Sequence, residues 1–206
     1  MEFKITHGKF HGLIRQLIWR DFYAQLLYFY PDNLGELYNT RMKELTWSKS
    51  KTHLEAWKKG ETGVPLVDAG MRQMNTTGYM HNRCRMLVAT YLTKILNIDW
   101  REGEKYFAQT LVDYDVASNS GNWQAVVGGG IYAMPWFRIM SPWAQSYEYD
   151  RNAIYIKKWV GELAAVNPKI IHKWYKYCKT EEYKNIYRCP IVDYKVEREV
   201  FLDKMK

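Results

Sequence analysis

Residues 10–29 read FHGLIRQLIWRDFYAQLLYF, and this stretch decides the fold class. Its apolar side chains recur at steps of three and four residues, at Phe10, Leu13, Ile14, Leu17, Ile18, Phe22, Leu26 and Phe29. Such spacing gathers them on one face of an α-helix, whereas a half-buried strand would alternate strictly. The stretch therefore predicts a long amphipathic helix that ends before Pro31, because proline stops helix propagation.

The same helical period continues through most of the chain. Together with their capping residues, the apolar patterns predict further helices over 62–75, 80–95, 103–112, 154–163 and 168–177. Clusters of Ser, Asn and Gly predict loops at 118–122 and 128–130. No segment alternates convincingly with period two, and no Pro-, Ser- or Gly-rich linker divides the chain. We therefore predict an all-α fold with a single domain over residues 1–206.

The composition is that of a globular chain with an unusual aromatic and basic content. The chain is 47% hydrophobic and 25% charged, which excludes a fibrous repeat or a disordered tail. It contains nine Trp, 17 Tyr and seven Phe, and 30 Lys and Arg against 22 Asp and Glu give a net charge of +8. A basic surface attracts polyanions such as nucleic acid, although on charge alone a basic surface that serves only solubility is as good an explanation.

Targeting segments, membrane spans and metal sites are not predicted. No apolar run approaches the roughly 18 residues that span a bilayer, and the N-terminus lacks a signal-peptide pattern. Cys84, Cys178 and Cys189 are odd in number and far apart, which predicts neither a disulfide framework nor a cysteine-based zinc site. We predict a reducing compartment, cytoplasmic or nuclear. His7 and His11 are spaced like metal ligands, but we expect no metal there.

Two polar segments are candidate ligand sites. The helix start at 79–85, YMHNRCR, places basic and amide side chains away from its apolar stripe, where they can bind a phosphate or an acidic partner. A solvated helix face is the alternative. Segment 111–119, LVDYDVASN, carries two acids around a tyrosine and can hydrogen-bond the edge of a heterocyclic ligand. Turn formation with a salt bridge to the neighbouring basic helix explains this segment equally well. Hydrolase and nucleotide-binding motifs such as G-x-S-x-G, H-E-x-x-H and the P-loop are absent.

Several segments resemble the photolyase/cryptochrome family: TGVPLVDAGMRQ at 62–73, TGYMHNR at 77–83, DWREGEKYF at 99–107, DYDVASN at 113–119, GNWQ at 121–124 and PWFRI at 135–139. Matching blocks run in the family's order and spacing from about residue 13 to residue 200. The resemblance implies an all-helical domain that holds FAD. It also implies that excited, reduced flavin passes an electron to a pyrimidine dimer in UV-damaged DNA and splits it, with the target flipped out of the duplex. No membrane partner is implied.

The resemblance further implies roles for individual residues. Its electron-relay tryptophans, ordered outward from the flavin, are Trp123, Trp100 and Trp47. Asn119 matches the residue that faces N5 of the flavin ring. The other positions matching cofactor contacts are Arg20, Asn82, Arg85, Asp113, Tyr114 and Asp115, with Arg85 expected to pair with Asp113. The positions matching lesion or DNA contacts are Gln16, Trp19, Arg20, Tyr23, Asn82, Arg83, Arg85, Met86 and Gln145.

Departures from the family pattern leave two functional classes open. Gln16 stands where repair enzymes usually have Glu, and Ala125 stands where many have a second tryptophan against the lesion. The family's antenna domain and FAD-phosphate loop have no counterpart in these 206 residues. We therefore expect the chain alone to bind FAD poorly and a separate chain or an upstream segment to supply both. The protein is then either a photolyase, or a non-catalytic remnant or cryptochrome-like flavin- and DNA-binding module that no longer repairs DNA.

Overall fold

The computed structural model describes residues 12–205, except for the side chains of residues 40 and 41, and α-helices dominate this part of the chain. The helices are α1 Gly12–Phe29, α2 Thr40–Lys43, α3 Lys51–Lys59, α4 Pro65–Thr77, α5 Asn82–Thr90, α6 Trp100–Thr110, α7 Val116–Val127, α8 Pro142–Tyr149, α9 Ile154–Trp159, α10 Pro168–Ile171, α11 Trp174–Tyr177 and α12 Tyr194–Lys204. Short 3₁₀ turns lie at Pro31–Asn33 and Gly161–Leu163, and a π turn at Tyr91–Ile95 continues α5. Within residues 12–205 strand pairing is limited to one parallel bridge, Ser48 to Ile98. The all-α prediction is confirmed.

The predicted loop at 118–122 is wrong, because this segment lies inside α7. Asp115 begins the helix by accepting a hydrogen bond from the backbone N–H of Ser118 at 2.8 Å. Such an N-cap satisfies a free amide of the first turn and outweighs the weak helix propensity of Ser and Asn. Gly121 lies where α7 meets α1, and a Cβ atom there would overlap the ring of Tyr23. The Ser- and Gly-rich composition therefore allows close helix packing rather than a turn.

Helix α1 is present as predicted, but its apolar stripe is only partly buried, with Ile14, Leu17, Phe22 and Leu26 half-buried. Ile18 and Phe29 are 55% and 68% exposed, while Tyr23 is the buried residue of the helix. The side of α1 that faces α7 is the one that carries Tyr23. Phe10, His7 and His11 lie outside the described residues.

A buried carboxylate joins α4 to the C-terminal part of the chain. Asp68 is fully buried and accepts hydrogen bonds from the backbone N–H groups of Thr62 and Gly63, both at 2.9 Å, and from the Thr62 hydroxyl at 2.6 Å. The hydroxyl of Tyr187 donates to the same carboxylate. Burial raises the pKa of Asp68, and these hydrogen bonds oppose the rise. The central helix of the core is thereby tied to a residue 119 positions away.

The cysteine count and spacing predict no disulfide framework, and the one bridge that is present removes the cysteine argument for a reducing compartment. Cys178 and Cys189 are bonded, with their Cα atoms 5.3 Å apart, and Cys84 is free. Cysteine number and spacing reveal a framework of several bridges, whereas a single bridge needs only a chain reversal. That reversal is fixed by the buried indole of Trp174, which donates to the carbonyl of Arg188 at 2.9 Å.

Removal of this disulfide is expected to lower the free energy of unfolding by about 2–3 kcal/mol, the entropy of closing a loop of this length. The change is Cys189→Ala, and urea denaturation with and without a thiol reductant measures it. Wild type should become less stable with reductant and the variant should not change. Cys84→Ala is the control and should respond to reductant as wild type does. Three reactive thiols in denatured, unreduced protein would contradict the bridge.

Lys94 is a buried cation without a carboxylate partner among residues 12–205. It is 1% exposed, and its ammonium donates to the carbonyls of Trp136 and Arg138 at 3.2 and 3.4 Å and lies over the ring of Phe201. Burial lowers the pKa of Lys94 to about 8. Lys94 therefore holds the loop after α7 in place at an electrostatic cost.

Stability is expected to rise with pH above about 8 because of Lys94. Above that pH the folded protein releases the proton while the unfolded chain keeps it up to its ordinary pKa of about 10.4, so the unfolded state binds more protons. The contribution is at most about 1.4 kcal/mol per pH unit. Lys94→Met should flatten this slope, which denaturation midpoints between pH 7 and about 9.5, below the ordinary tyrosine pKa, measure. Parallel pH profiles for both proteins would contradict the assignment.

Candidate functional site

A cavity of about 540 Å³ lies between α1, α5, α6 and α7, and we call it the α1–α7 cavity. Most residues predicted to contact cofactor or lesion line it: Gln16, Trp19, Arg20, Tyr23, Asn82, Arg85, Met86, Asp113, Tyr114, Asp115, Asn119 and Trp123. Its volume lies within the range of small-molecule and cofactor sites. Residues from three separate parts of the sequence thus meet at one concave surface.

The predicted pair of Arg85 and Asp113 forms one wall of the cavity. The Arg85 Nη2 atom lies 3.0 and 2.8 Å from the two carboxylate oxygens of Asp113, and its Nε donates to the carbonyl of Met80 at 2.6 Å. Helix α5 begins at this point because His81 caps it, accepting from the backbone N–H of Arg83. The sequence left a salt bridge and a ligand-binding role for this segment as alternatives. The two are compatible, because the Asp113 side chain is 47% exposed while it pairs with Arg85.

The two residues after Asp113 have separate tasks. Asp115 caps α7, which occupies its Oδ1 atom. Tyr114 donates to the Glu104 carboxylate at 3.3 Å, and its partial burial followed by the negative charge of Glu104 raises the pKa of Tyr114. The segment between α6 and α7 is therefore fixed to α6 by Tyr114 and to α7 by Asp115.

Asn119 is oriented by Glu104, a residue that the sequence reasoning did not select. The Asn119 Nδ2 donates to the Glu104 carboxylate at 2.9 Å and to its backbone carbonyl at 3.3 Å. The amide oxygen of Asn119 has no donor among residues 12–205, so the amide presents a hydrogen-bond acceptor. Nothing in its spacing distinguishes Glu104 from the exposed Glu102; only the fold brings it to Asn119.

Of the three predicted relay tryptophans, Trp123 lines the cavity and Trp100 and Trp47 do not. Trp123 lines the cavity, is 3% exposed and packs beneath Gly103 of α6. Trp100 begins α6 in the core at 1% exposure. Trp47 is partly buried, and the backbone beside it pairs with the segment before α6, where Ser48 N–H donates to the Asn97 carbonyl at 2.6 Å. The relay order of Trp123, Trp100 and Trp47 stays a prediction.

Among known proteins, the model of the FAD binding domain of DNA photolyase matches residues 13–206. The chain belongs to this photolyase family. It is 43% identical to the deoxyribodipyrimidine photo-lyase of Alkalihalophilus pseudofirmus over 94% of this chain and 42% of the relative. The corresponding enzyme of Halobacterium salinarum is 44% identical over 91% of this chain and 40% of the relative. The chain thus spans about two fifths of the length of the curated photolyases it matches.

Solved structures of the photolyase family share the fold. The archaeal photolyase from Sulfolobus tokodaii with two FAD molecules superposes with a TM-score of 0.87 at 42% identity, covering 96% of this chain and 45% of that one. The Synechocystis cryptochrome gives 0.85 at 36% identity, with 94% and 41% coverage. The resemblance read from the sequence is confirmed for family, fold class and cofactor class.

The chemistry of the α1–α7 cavity fits the ring system of FAD. Trp123 and Phe107 line the cavity with apolar ring surface, their rings 5.1 Å apart and at 75° to each other. The Arg85–Asp113 pair offers donors and acceptors together, which suits the polar edge of an isoalloxazine ring, and the oxygen of Asn119 adds an acceptor. The cavity therefore offers polar groups to the polar edge of a heterocycle and apolar surface to the rest of its ring.

Two residues predicted to contact DNA lie outside the cavity. The Arg83 Nη1 donates to the Gln145 amide oxygen at 3.3 Å, and the Arg83 guanidinium stacks 3.9 Å above the ring of Tyr149. Arg20 lines the cavity but is 63% exposed and pairs with Asp21 at 3.0 Å. These arginines form part of the exposed surface around the cavity, where phosphate contacts occur in DNA-binding proteins.

Several cavity residues were missed, and most carry no sequence signal. Phe107 and Val126 lie in apolar helix patterns that do not distinguish a cavity residue from any other core residue. Asn122 lies in the segment predicted as a loop. Tyr132 follows the triple glycine and lines the cavity beside Trp19. No helix of the described range is long and apolar enough for a bilayer span, and no metal-binding group of His, Cys, Asp or Glu occurs there.

Proposed function

We propose that the protein repairs pyrimidine dimers in UV-damaged DNA with light energy, using FAD held in the α1–α7 cavity. One observation carries this proposal. The residues matching cofactor contacts and those matching lesion contacts, Arg85 and Asn119 on one side and Gln16 and Trp19 on the other, line a single continuous cavity. A bound base and a bound flavin would then lie in one concave site, close enough for short-range electron transfer.

When bound and reduced, FAD supplies the light-excited electron donor. The chain's own residues position the reactants. The Arg85–Asp113 pair orients the polar edge of the ring, and Glu104 fixes the amide of Asn119 so that its oxygen can accept a hydrogen bond from the ligand. Trp19 offers an aromatic surface to a base flipped from the duplex, and the net charge of +8 favours the phosphate backbone. A cytoplasmic or nuclear location is part of this proposal because the substrate is DNA.

A second candidate is a cryptochrome-like module that binds flavin and DNA without repair. The neutral amide of Gln16 in the cavity favours this candidate, because it cannot supply the charge or proton of a carboxyl group. Each candidate leaves room for a separate chain or segment that supplies the antenna domain and the phosphate loop. The two candidates differ in whether illumination consumes the lesion.

The deciding experiment uses the protein at the length that its gene encodes. Flavin absorbance of the purified protein measures cofactor binding, and a dimer-containing oligonucleotide under blue light measures repair, with a dark sample as control. We expect stoichiometric flavin and light-dependent loss of the dimer. Protein without flavin would contradict the cofactor assignment, and dark and light samples with equal dimer content would favour the second candidate.

A further inference from the structure

Two aromatic residues from distant parts of the chain meet at the α1–α7 cavity. The rings of Trp19 and Tyr132 lie 4.7 Å apart between centroids and are tilted by 57°. Tyr23 stacks on Trp19 at 5.9 Å and 27°. Because Tyr23 is buried while Tyr132 is 49% exposed, the cluster is anchored at one end and open at the other. All three residues line the cavity.

The backbone after α7 carries Tyr132 into this position. Gly129 and Gly130 N–H groups both donate to the carbonyl of Gln124, at 3.0 and 3.2 Å, and the Met134 N–H donates to the carbonyl of Ala125 at 2.9 Å. The loop therefore folds back along the end of α7. A Cβ atom at Gly130 would lie only 3.2 Å from the side chain of Gln124, so the approach is close. Tyr132 is thus held by backbone hydrogen bonds on either side of it.

The side chain of Tyr132 does not itself serve the loop's hydrogen bonding. Its hydroxyl has no hydrogen-bond partner among residues 12–205, and half of the side chain is exposed. Burial raises the pKa of Tyr23 to about 12, and the negative charge that Tyr132 would carry adds to the rise. An exposed aromatic ring at a cavity wall, positioned by its backbone, is suited to contact a planar ligand.

We propose that Tyr132 and Trp19 form an aromatic corner that stacks an unpaired base of damaged DNA. A separation of 4.7 Å leaves no slot between the rings, so the base lies against the corner and meets the face of one ring and the edge of the other. Ala125 lines no part of the cavity, so the second aromatic surface comes from the loop rather than from α7. The inference rests on the proposed function and adds a residue that determines its specificity.

The test compares Tyr132→Ala and Tyr132→Phe in the protein at its gene-encoded length. Dark binding of a dimer-containing oligonucleotide is measured by fluorescence anisotropy against the same oligonucleotide without damage. Tyr132→Ala should weaken binding of the damaged strand by roughly 5- to 100-fold, the usual effect of losing one stacked ring. Tyr132→Phe should bind like wild type, since the ring and not the hydroxyl acts. Tyr38→Ala is the matched control, because Tyr38 is 57% exposed and lines no part of the cavity.

A further variant separates stacking from simple packing against Trp19. Tyr132→Leu keeps apolar bulk without a ring face and should bind as weakly as Tyr132→Ala. Binding restored by Leu, or an equal loss for damaged and undamaged strands, would overturn the stacking role. Flavin absorbance should be unchanged in every variant. If wild type itself binds both strands equally, the proposed function fails, whereas wild-type discrimination with an unaffected Tyr132→Ala overturns the aromatic corner alone.

Discussion

Trp123→Phe is expected to slow light-driven reduction of bound flavin by at least about tenfold, a change that needs only ~1.4 kcal/mol in the barrier. The Trp123 ring lines the cavity and packs beneath α6, the helix that begins with Trp100. Phenylalanine keeps most of this packing, but a benzene ring gives up an electron far less readily than an indole. Blue light with an external reductant, followed by the loss of oxidised flavin absorbance, measures the rate.

Trp57→Phe is the control for this prediction. Trp57 is fully buried and its ring lies 6.2 Å from that of Trp123, so both substitutions remove an indole from the same part of the core. Trp57 also donates to the carbonyl of Val88 at 3.0 Å, so this variant should lose stability while its photoreduction is unchanged. Equal rates in wild type and Trp123→Phe would contradict the relay assignment.

Arg85→Ala is expected to weaken flavin binding by roughly 10- to 100-fold, which corresponds to about 1.5–3 kcal/mol for hydrogen bonds to a charged group. The guanidinium ties the Met80 carbonyl to the Asp113 carboxylate across the cavity wall. Without it, Asp113 faces the ligand as an uncompensated negative charge. Equilibrium dialysis with FAD measures the change, and Arg85→Lys should recover part of the binding because it restores the charge but cannot bond the Met80 carbonyl and the Asp113 carboxylate together.

Arg72→Ala is a closely matched control for Arg85. The Arg72 Nε donates to the carbonyl of Gly60 at 2.9 Å, and its Nη atoms bind the Glu162 carboxylate at 2.7 and 3.0 Å, outside the α1–α7 cavity. Loss of the same types of contact should here leave flavin binding unchanged. If both variants lose flavin equally, Arg85 acts through general stability and not at the ligand.

The sequence predicts helices well where capping and apolar period agree. The sequence predicts a helix over 62–75, and Pro65 at its start and Gly78 in the left-handed conformation at its end place α4 at 65–77. The prediction failed at 118–122, where the composition indicated a loop. Asp115 instead caps a helix there, and the ring of Tyr23 packs in the space that a Cβ atom on residue 121 would fill. Helix propensity is a property of the local sequence and carries no information about the residue that packs against the segment. Here that residue, Tyr23 of α1, decides the structure.

For the site, residues that carry a motif could be selected, and residues that only complete a surface could not. Asp113, Asn119 and Trp123 stand in segments with a family pattern. Glu104 and Tyr132 matter through contacts with residues that are distant in sequence or on another helix, Asn119 and Trp19. Their spacing alone resembles that of ordinary surface residues.

The all-α class, the family and the cofactor class can be read from the amino-acid sequence, because helical period and motif residues are local properties of the chain. The tertiary structure alone decided three things: which face of α1 is buried, that Cys178 and Cys189 are joined, and that Tyr132 lies beside Trp19. Each of these depends on contacts between residues that are separated in the sequence. Such contacts are set by the packing of whole helices, which no short stretch of sequence encodes.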